Sequence, residues 1–464
     1  MSGASTHPNR LAAGTGTNVS LRLHEDLPVD LELGKGQFLA LSGECLCEGD
    51  SPRAVVIDVD GSRRHAELSP FPGGVTFWQG MFLSGSLAGR TVSVRAEVTL
   101  RSGTMAKFEL GAINCRDVDW QPVAASGGRG LVAICMATYE PDLEAFRRQI
   151  DSIRSQDHPR WLCIVNDDGS SRETWERMRE LCTDDQRFSF HRNPGNLGFY
   201  RNFESALKKV PVEAEYIAFA DQDDFWYKDK LSRLIEALRR EQAMLAYSDM
   251  RIVDASGAEV ASTYWVNRRN EYRDLKVVLV ANTVTGAASL FRRELLPDLV
   301  PFPPRVGDAF HDHWLACTAM STGTVAYVDA PLHDYYQHGS SVIGHCDFTR
   351  FTAGQRLMSL LRLVLRMCRP SQAGPWLRGK YTSALAVYRG ECRRLRLVQE
   401  TIKARCRLAP GRRADLRLFD GGIRSLARLL ALHACVLWKG QTTDDAELRL
   451  AMGEAARIVE RRRV

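Results

Sequence analysis

The stretch YIAFADQDDFWYKDKL, residues 216–231, passes from five consecutive apolar positions into three carboxylates within four residues. An unbroken apolar run of this length, closed by a polar turn and followed by a helical period, reads as a strand buried on both faces. At its end Asp221, Asp223 and Asp224 would repel one another and raise one another's proton affinity unless something positive intervenes. A hard divalent cation, Mg²⁺ or Mn²⁺, is the natural counter-charge, because it takes oxygen ligands and leaves positions open for substrate phosphates. Alternation along an extended chain puts Asp221 and Asp223 on one side, able to reach the same ion, and turns Asp224 toward the sheet or the next helix. The plain alternative is a solvated acidic turn that caps the following helix.

The same grammar continues on either side. LVAICMA (131–137), WLCIVND (161–167), FSFHR (188–192) and MLAYSDMRIVD (244–254) read as strands, with helical periods around 142–155, 172–182, 198–209 and 229–240 between them. This alternation predicts an α/β domain over 131–350 whose mostly parallel sheet carries its ligands at the carboxyl ends of the strands. Four such ends are polar: Thr138-Tyr139, Asn166 to Ser170, Asn193 to Gly198, and Asp221 to Asp224. A single Asp at a strand end usually caps the next helix, whereas four neighbouring polar ends point to a site. In the DDGS turn a carboxylate can accept hydrogen bonds from a base or ribose while Gly169 lets the backbone approach.

Ahead of this domain, residues 1–120 show short alternating runs such as VSLRL (19–23), AVVIDVDG (54–61) and TVSVRAEVTL (91–100), punctuated by Gly, Pro and Asp. That spacing predicts an antiparallel β-sandwich, read as a packing or sugar-contacting accessory module, with QPVAASGGRG (121–130) as a linker. Behind it, 351–464 reads as a basic helical region in which Lys and Arg outnumber Asp and Glu 24 to 9. Arg362, Arg366 and Arg369 share one helical face there, and IRSLARLLALHACVLW (423–438) is similar. Two readings stay open: helices docked on the α/β domain, or attachment to an anionic membrane surface.

The 464-residue chain has 12 cysteines without CxxC spacing, several of them inside apolar runs, which suits reduced core thiols better than disulfides or zinc. No run approaches a spanning length and the first residues lack an apolar signal core, so a cytoplasmic protein, peripheral at most to the inner face of the plasma membrane, is expected.

Taken together, ATYEPD (137–142), VNDDGSSRET (165–174), NLGFYRNFESAL (196–207), FADQDDFWYKDKL (219–231), NTVTGAASLFRREL (282–295), HDHWLA (311–316) and YQHGSSVIGH (336–345) resemble an inverting family-2 glycosyltransferase of GT-A fold. The DQDD-x-W form with NLGFYRNFE and HDHW is similar to the bacterial rhamnosyltransferase-like branch, which builds surface polysaccharides from dTDP-rhamnose or related donors. The resemblance implies that Thr138, Asp167 and Asp168 hold the nucleoside, that Arg201 lies near the ribose or phosphates, and that Asp221 and Asp223 sit at the metal and diphosphate. It implies Asp312 as general base and places His338 in a loop that closes over the diphosphate, beside the metal. Relatives often carry Arg where Tyr336 stands, so that clamp would be weaker or supplied by another residue. The implied partners are a nucleotide-sugar donor and a glycan or lipid-linked glycan acceptor, with no nucleic acid.

Transfer with inversion needs one base for the acceptor proton and a Lewis acid for the departing diphosphate, and no enzyme nucleophile. Two other classes remain. A silent scaffold that only binds nucleotide sugar and glycan would not need Asp221, Asp223 and Asp312 together. A nucleotidyltransferase would open with a Gly-rich phosphate loop after its first strand, which ATYEPD is not. His311 and His313 are read as packing or chemical groups, Trp314 as a core or sugar-stacking ring. The small residues Gly286 to Ala288 serve either tight packing or an open pocket.

Overall fold

The computed structural model describes residues 12–13, 19–71, 73–125, 129–266, 270–306, 310–337, 370–417 and 432. The chain divides into two compact units, Met1–Asp119 and Trp120–Val464.

In the first unit, alternation decides the architecture. Thr91–Leu100 buries Val92, Val94, Ala96, Val98 and Leu100 and leaves the residues between them half-buried or exposed. Its sheet runs in the order Asp30–Glu32, Met105–Arg116, Thr91–Leu100, Pro52–Val59 and Ser62–His65. A second sheet runs Ala12–Ala13, Val19–Leu23, Gly36–Cys47, Gly74–Ser84 and Glu67–Phe71. Neighbours are antiparallel except Asp30–Glu32, which lies parallel to Met105–Arg116. The inward side chains of both sheets meet in one core that includes Leu39, Phe77, Met81, Val94 and Val98. This is a β-sandwich, stabilised by about 1.5–3 kcal/mol for each large apolar side chain removed from water.

The second unit opens with β1 (Val132–Thr138), α1 (Leu143–Arg154), β2 (Trp161–Asp167), α2 (Arg172–Glu180), β3 (Phe188–Arg192), α3 (Phe199–Leu207) and β4 (Tyr216–Ala220). It continues through β5 (Phe225–Trp226), α4 (Lys230–Arg240), β6 (Leu245–Val253), β7 (Glu259–Ala261), α5 (Leu275–Val280), β8 (Ser289–Arg292), α6 (Leu296–Leu299), α7 (His311–Thr322) and β9 (Val325–Tyr336). The sheet order is β3-β2-β1-β4-β8-β6-β9-β5, with β7 paired to β6. The strands β3, β2, β1 and β4 are parallel, as their continuous apolar runs predict. Helices α1 and α4 contribute Phe146, Ile150, Ile153, Leu231, Leu234 and Leu238, all completely buried, to the core against the sheet.

The other half of the sheet is mixed. Strand β8 runs antiparallel to both β4 and β6, and β9 returns parallel to β6 with a register shift where Pro331 opposes Asp249. Proline has no N–H for the ladder, so an interior strand holds it at such an irregularity, and β9 therefore has no strand signature in the sequence.

The small-residue stretch after the sandwich is fastened to the second unit rather than free. Gln121 and Val123 donate backbone hydrogen bonds to Lys208 and Lys209 (3.0 and 2.9 Å), and the Gly130 N–H meets Glu215 at 2.7 Å. At the other end, α8 (Pro370–Arg405) and α9 (Arg412–Arg417) follow β9. Tyr388, Leu395, Leu397, Ile402 and Leu416 are buried, and Arg405, itself buried, donates to the Pro301 carbonyl at 2.6 Å. This part of the basic region is docked. The stripe Arg362, Arg366 and Arg369, and nearly all of 423–438, lie outside the described residues. Among the described residues no helix is long and apolar enough to cross a membrane. The nine described cysteines are free thiols, and burial pushes Cys182 up to about 12 and Cys163 well above its ordinary value.

Candidate active site

The carboxyl ends of β1, β2 and β3 form one hydrogen-bonded floor. Register pairs Thr138 with Asp167, and the Thr138 hydroxyl donates to the Asp167 carboxylate at 3.4 Å. Asp167 also accepts the Ser170 N–H at 3.0 Å and the Ser170 hydroxyl, with Arg192 at 3.4 Å. Asp168 accepts from the Asn193 amide (2.8 Å) and from the backbone N–H groups of Leu197 (2.9 Å) and Gly198 (2.8 Å). Gly198 has φ +78°, a conformation that favours glycine, so the NLG turn can present those two donors to one carboxylate. Beneath them Asn166 donates to Asn193 (3.1 Å) and Asn202 (2.7 Å), and Asn202 donates to the Thr138 carbonyl at 3.2 Å. Asn166 and Asn193 belong to the polar strand ends that the sequence marks, whereas Asn202, on the following helix, carries no signal of its own. Arg201 turns to α3 and the loop after α6, pairing with Glu204 and donating to the Phe302 carbonyl at 3.0 Å.

The acidic loop behaves differently. Gln222 clamps it to the first strand end, accepting the Tyr139 N–H at 2.9 Å. Asp221 is pushed up to about 7, first by burial and then by the charges of Asp223 and Asp312, against the pull of Lys230. Those three carboxyl groups therefore share one field at the end of β4. Arg148 of α1 donates to the Asp223 carbonyl at 2.7 Å and lays its guanidinium 3.6 Å from the centre of the Tyr336 ring. It brings to Tyr336 the positive charge that this position lacks.

Asp224 turns inward, as alternation requires. It is fully buried with no hydrogen-bond partner on either oxygen, 3.9 Å from the equally buried His333, and burial raises it well above the ordinary range. Lys230 joins this nest, completely buried, with its ammonium 4.0 Å from the centre of the Trp226 ring and bonded to the Ala287 carbonyl. Burial pulls Lys230 down to about 7, while Asp224 and Asp221 favour its charge. Neither Lys230 nor His333 stood out in the sequence, where one heads an amphipathic helix and the other sits in a strand without a signature.

The carboxylates suit a divalent ion in part. Among the described residues no three His, Cys, Asp or Glu side chains converge as a closed metal site. Asp221 and Asp223 would supply one or two oxygen ligands and leave the rest to a phosphate-bearing ligand, the arrangement Mg²⁺ tolerates well. His338 lies outside the described residues.

Asp312 stands in the first turn of α7, where the helix dipole favours a negative charge. Its two oxygens accept the His313 N–H at 2.6 Å and the Gly286 N–H at 3.3 Å, and burial pushes it up to about 7. The glycine is obligatory for packing: a Cβ on Gly286 would lie 2.6 Å from His311 Nε2. His311 stacks on Phe203 with ring centres 3.9 Å apart, His313 bonds the Val278 carbonyl at 2.6 Å, and Trp314 donates to the Leu299 carbonyl at 3.0 Å. Both histidines and the tryptophan are thus packed into the helix interface.

Comparison with known proteins adds a similarity. Residues 133–300 match the profile described as Glycosyl transferase family 2. An uncharacterized glycosyltransferase of Nostoc is 28% identical over 209 residues, 42% of this chain and 61% of that protein. The Escherichia coli protein named UDP-Glc:alpha-D-GlcNAc-diphosphoundecaprenol beta-1,3-glucosyltransferase WfaP is 30% identical over 122 residues, 26% of this chain and 47% of that one. The chain thus spans about half the length of the curated relatives it matches. Among solved structures, S. aureus TarS 1–349 in complex with UDP-GlcNAc aligns at 14% identity and a TM-score of 0.40, over 72% of this chain and 92% of that one. The matched stretch spans the strands and helices that carry Thr138, Asp167, Asp168, Asp221 and Asp223, so over residues 133–300 the chain is similar to glycosyl transferase family 2.

Proposed function

We propose that this protein transfers a sugar from a nucleoside-diphosphate donor to a hydroxyl of a glycan or lipid-linked glycan, with inversion, in bacterial surface polysaccharide synthesis. The observation that carries the reading is Asp312. It is a carboxyl group poised at about 7, with Gly286 and His313 fixing its two oxygens, inside the field of Asp221. A base works best when its pKa lies near the working pH.

In the reaction, an acceptor oxygen attacks the anomeric carbon and gives its proton to Asp312. The new C–O bond forms as the bond from that carbon to the diphosphate oxygen breaks, and the electron pair leaves with the nucleoside diphosphate. Asp221 and Asp223 would hold Mg²⁺ or Mn²⁺, which when bound would neutralise the departing diphosphate. Arg148 adds a fixed positive charge beside Asp223. Thr138, Asp167 and Asp168 shape the floor on which the nucleoside sits, through their backbone and the NLG turn. A floor whose carboxylates are bonded internally offers a ligand a preformed surface.

The donor would be dTDP-rhamnose or a related sugar nucleotide, and the WfaP name adds UDP-Glc to those worth testing first. Incubation with a panel of nucleotide sugars and Mn²⁺ decides the class. Free nucleoside diphosphate is the expected product; pyrophosphate would make it a nucleotidyltransferase, and no release with any donor a binding scaffold. The basic stripe would bring the protein to an anionic membrane. Replacing Arg362, Arg366 and Arg369 with Gln is expected to reduce sedimentation with anionic vesicles, and equal sedimentation would leave the stripe a packing or solvated face.

A further inference from the structure

We propose that Arg394, on the C-terminal helix α8, is a positioning residue for the base: it fixes the tautomer of His313 and thereby the first turn of α7 that aims Asp312. The inference rests on the reading of Asp312 as base.

Arg394 is a buried arginine that points into the domain. It is 5% exposed, with its guanidinium anchored by Glu391 at 2.6 Å and with Nη1 2.9 Å from Nδ1 of His313. Guanidinium nitrogens only donate, so Nδ1 must accept. The imidazole proton then belongs on Nε2, which faces the Val278 carbonyl at 2.6 Å and can only donate to it. Both ring nitrogens of His313 are satisfied in one tautomer alone, and the neutral ring is the form that a buried site beside a guanidinium favours. The ring is therefore locked between α5 and α8.

What is locked is the residue next to the base. The His313 backbone N–H holds one Asp312 oxygen at 2.6 Å and the Gly286 N–H holds the other at 3.3 Å. An imidazole released from these two bonds no longer ties the turn that presents the His313 N–H to α5 and α8. A small displacement suffices, since a misplacement of about 1 Å can cost about a hundredfold in rate. In this arrangement the basic C-terminal region has a task inside the domain, separate from any at a membrane.

The test uses the full chain, the best donor from the panel, and two readouts: the kcat and donor KM of transfer, and the imidazole nitrogen shifts of His313. Arg394→Met is expected to lower kcat about ten- to a hundredfold with donor KM nearly constant, and to shift His313 away from a pure Nε2–H signature. Arg394→Lys, which restores a donor to Nδ1, is expected to recover both. In every folded variant kcat and signature should move or stay together, and either one changing alone overturns the proposal. A folded Arg394→Met enzyme with both unchanged overturns it too. If Arg394→Met does not fold, Arg394→Lys decides by the same pairing. Asp312→Asn is the control: retained turnover there would sink the base assignment itself, whereas an inactive Asp312→Asn beside a normal Arg394→Met would sink only this proposal.

Discussion

Two strand ends of one sheet carry carboxylates in opposite states. At the end of β2, Asp167 and Asp168 accept several hydrogen bonds each from Ser170, Asn193, Leu197 and Gly198. At the end of β4, and beside it in α7, Asp221 and Asp312 are held up at about 7 by burial, and neither side-chain oxygen of Asp224 is hydrogen-bonded. A carboxylate that the fold has satisfied is a structural post, while one left short of positive charge awaits a ligand or a proton. The pair DD in VNDDG and the DQDD of the acidic loop look alike in the sequence and differ in this respect.

The sharpest way to break the comparison is Asp312→Asn. A lost general base is expected to reduce kcat by about a hundred- to ten-thousandfold with donor binding nearly intact; calorimetry of donor binding beside the rate assay separates the two, and unchanged turnover would exclude Asp312. Next in size is the ion. Mn²⁺ or Mg²⁺ uptake in chelator-free buffer, with nucleotide present, is expected to weaken by more than about tenfold in Asp221→Asn or Asp223→Asn, as neutralising a hard-ion ligand should. Absence of uptake by the unaltered protein would refute the metal assignment. Asp168→Ala probes the other side. It strands the Leu197 and Gly198 N–H groups, so a stability loss of about 1–3 kcal/mol by denaturant unfolding is expected, without the collapse of kcat expected for Asp312→Asn.

How much of this was legible follows from the same physics. Periodicity located β1 to β4 and their helices to within a few residues, because buried parallel strands and amphipathic helices leave unambiguous patterns. It could not locate α7, which is buried on nearly every side and has no polar face to reveal a period; HDHW was reached only through resemblance. It could not locate β9, whose Pro331 and Asp334 break the apolar run. Inward Asp224 was foreseen from alternation, but its neighbours His333 and Lys230 come from distant positions, and a lone lysine in a helix reads as solvated. Arg394 is hidden for the same reason: in ECRRLRLVQE nothing marks which arginine is buried against His313. Contacts of that kind exist only once the chain has folded.

The smallest predicted effect is a pH dependence whose two faces have opposite signs. Asp312 sits at about 7 in the folded chain, above the roughly 3.9 of an exposed aspartate. The folded state therefore binds this proton more tightly than the unfolded state does. The stability that it contributes is complete below about pH 4 and is lost as pH rises through about 7. Activity runs the other way, since only the deprotonated carboxylate can accept the acceptor proton. Between pH 6 and 7 kcat should rise about fivefold, following the ionised fraction, while the unfolding midpoint falls. Asp312→Asn mimics the protonated group permanently, so its unfolding midpoint should lose that part of the slope. If the variant and the parent showed the same decline across this window, the buried charge responsible would have to be sought at Asp221 or Asp224, and the division between satisfied and unsatisfied carboxylates would need redrawing around the acidic loop alone.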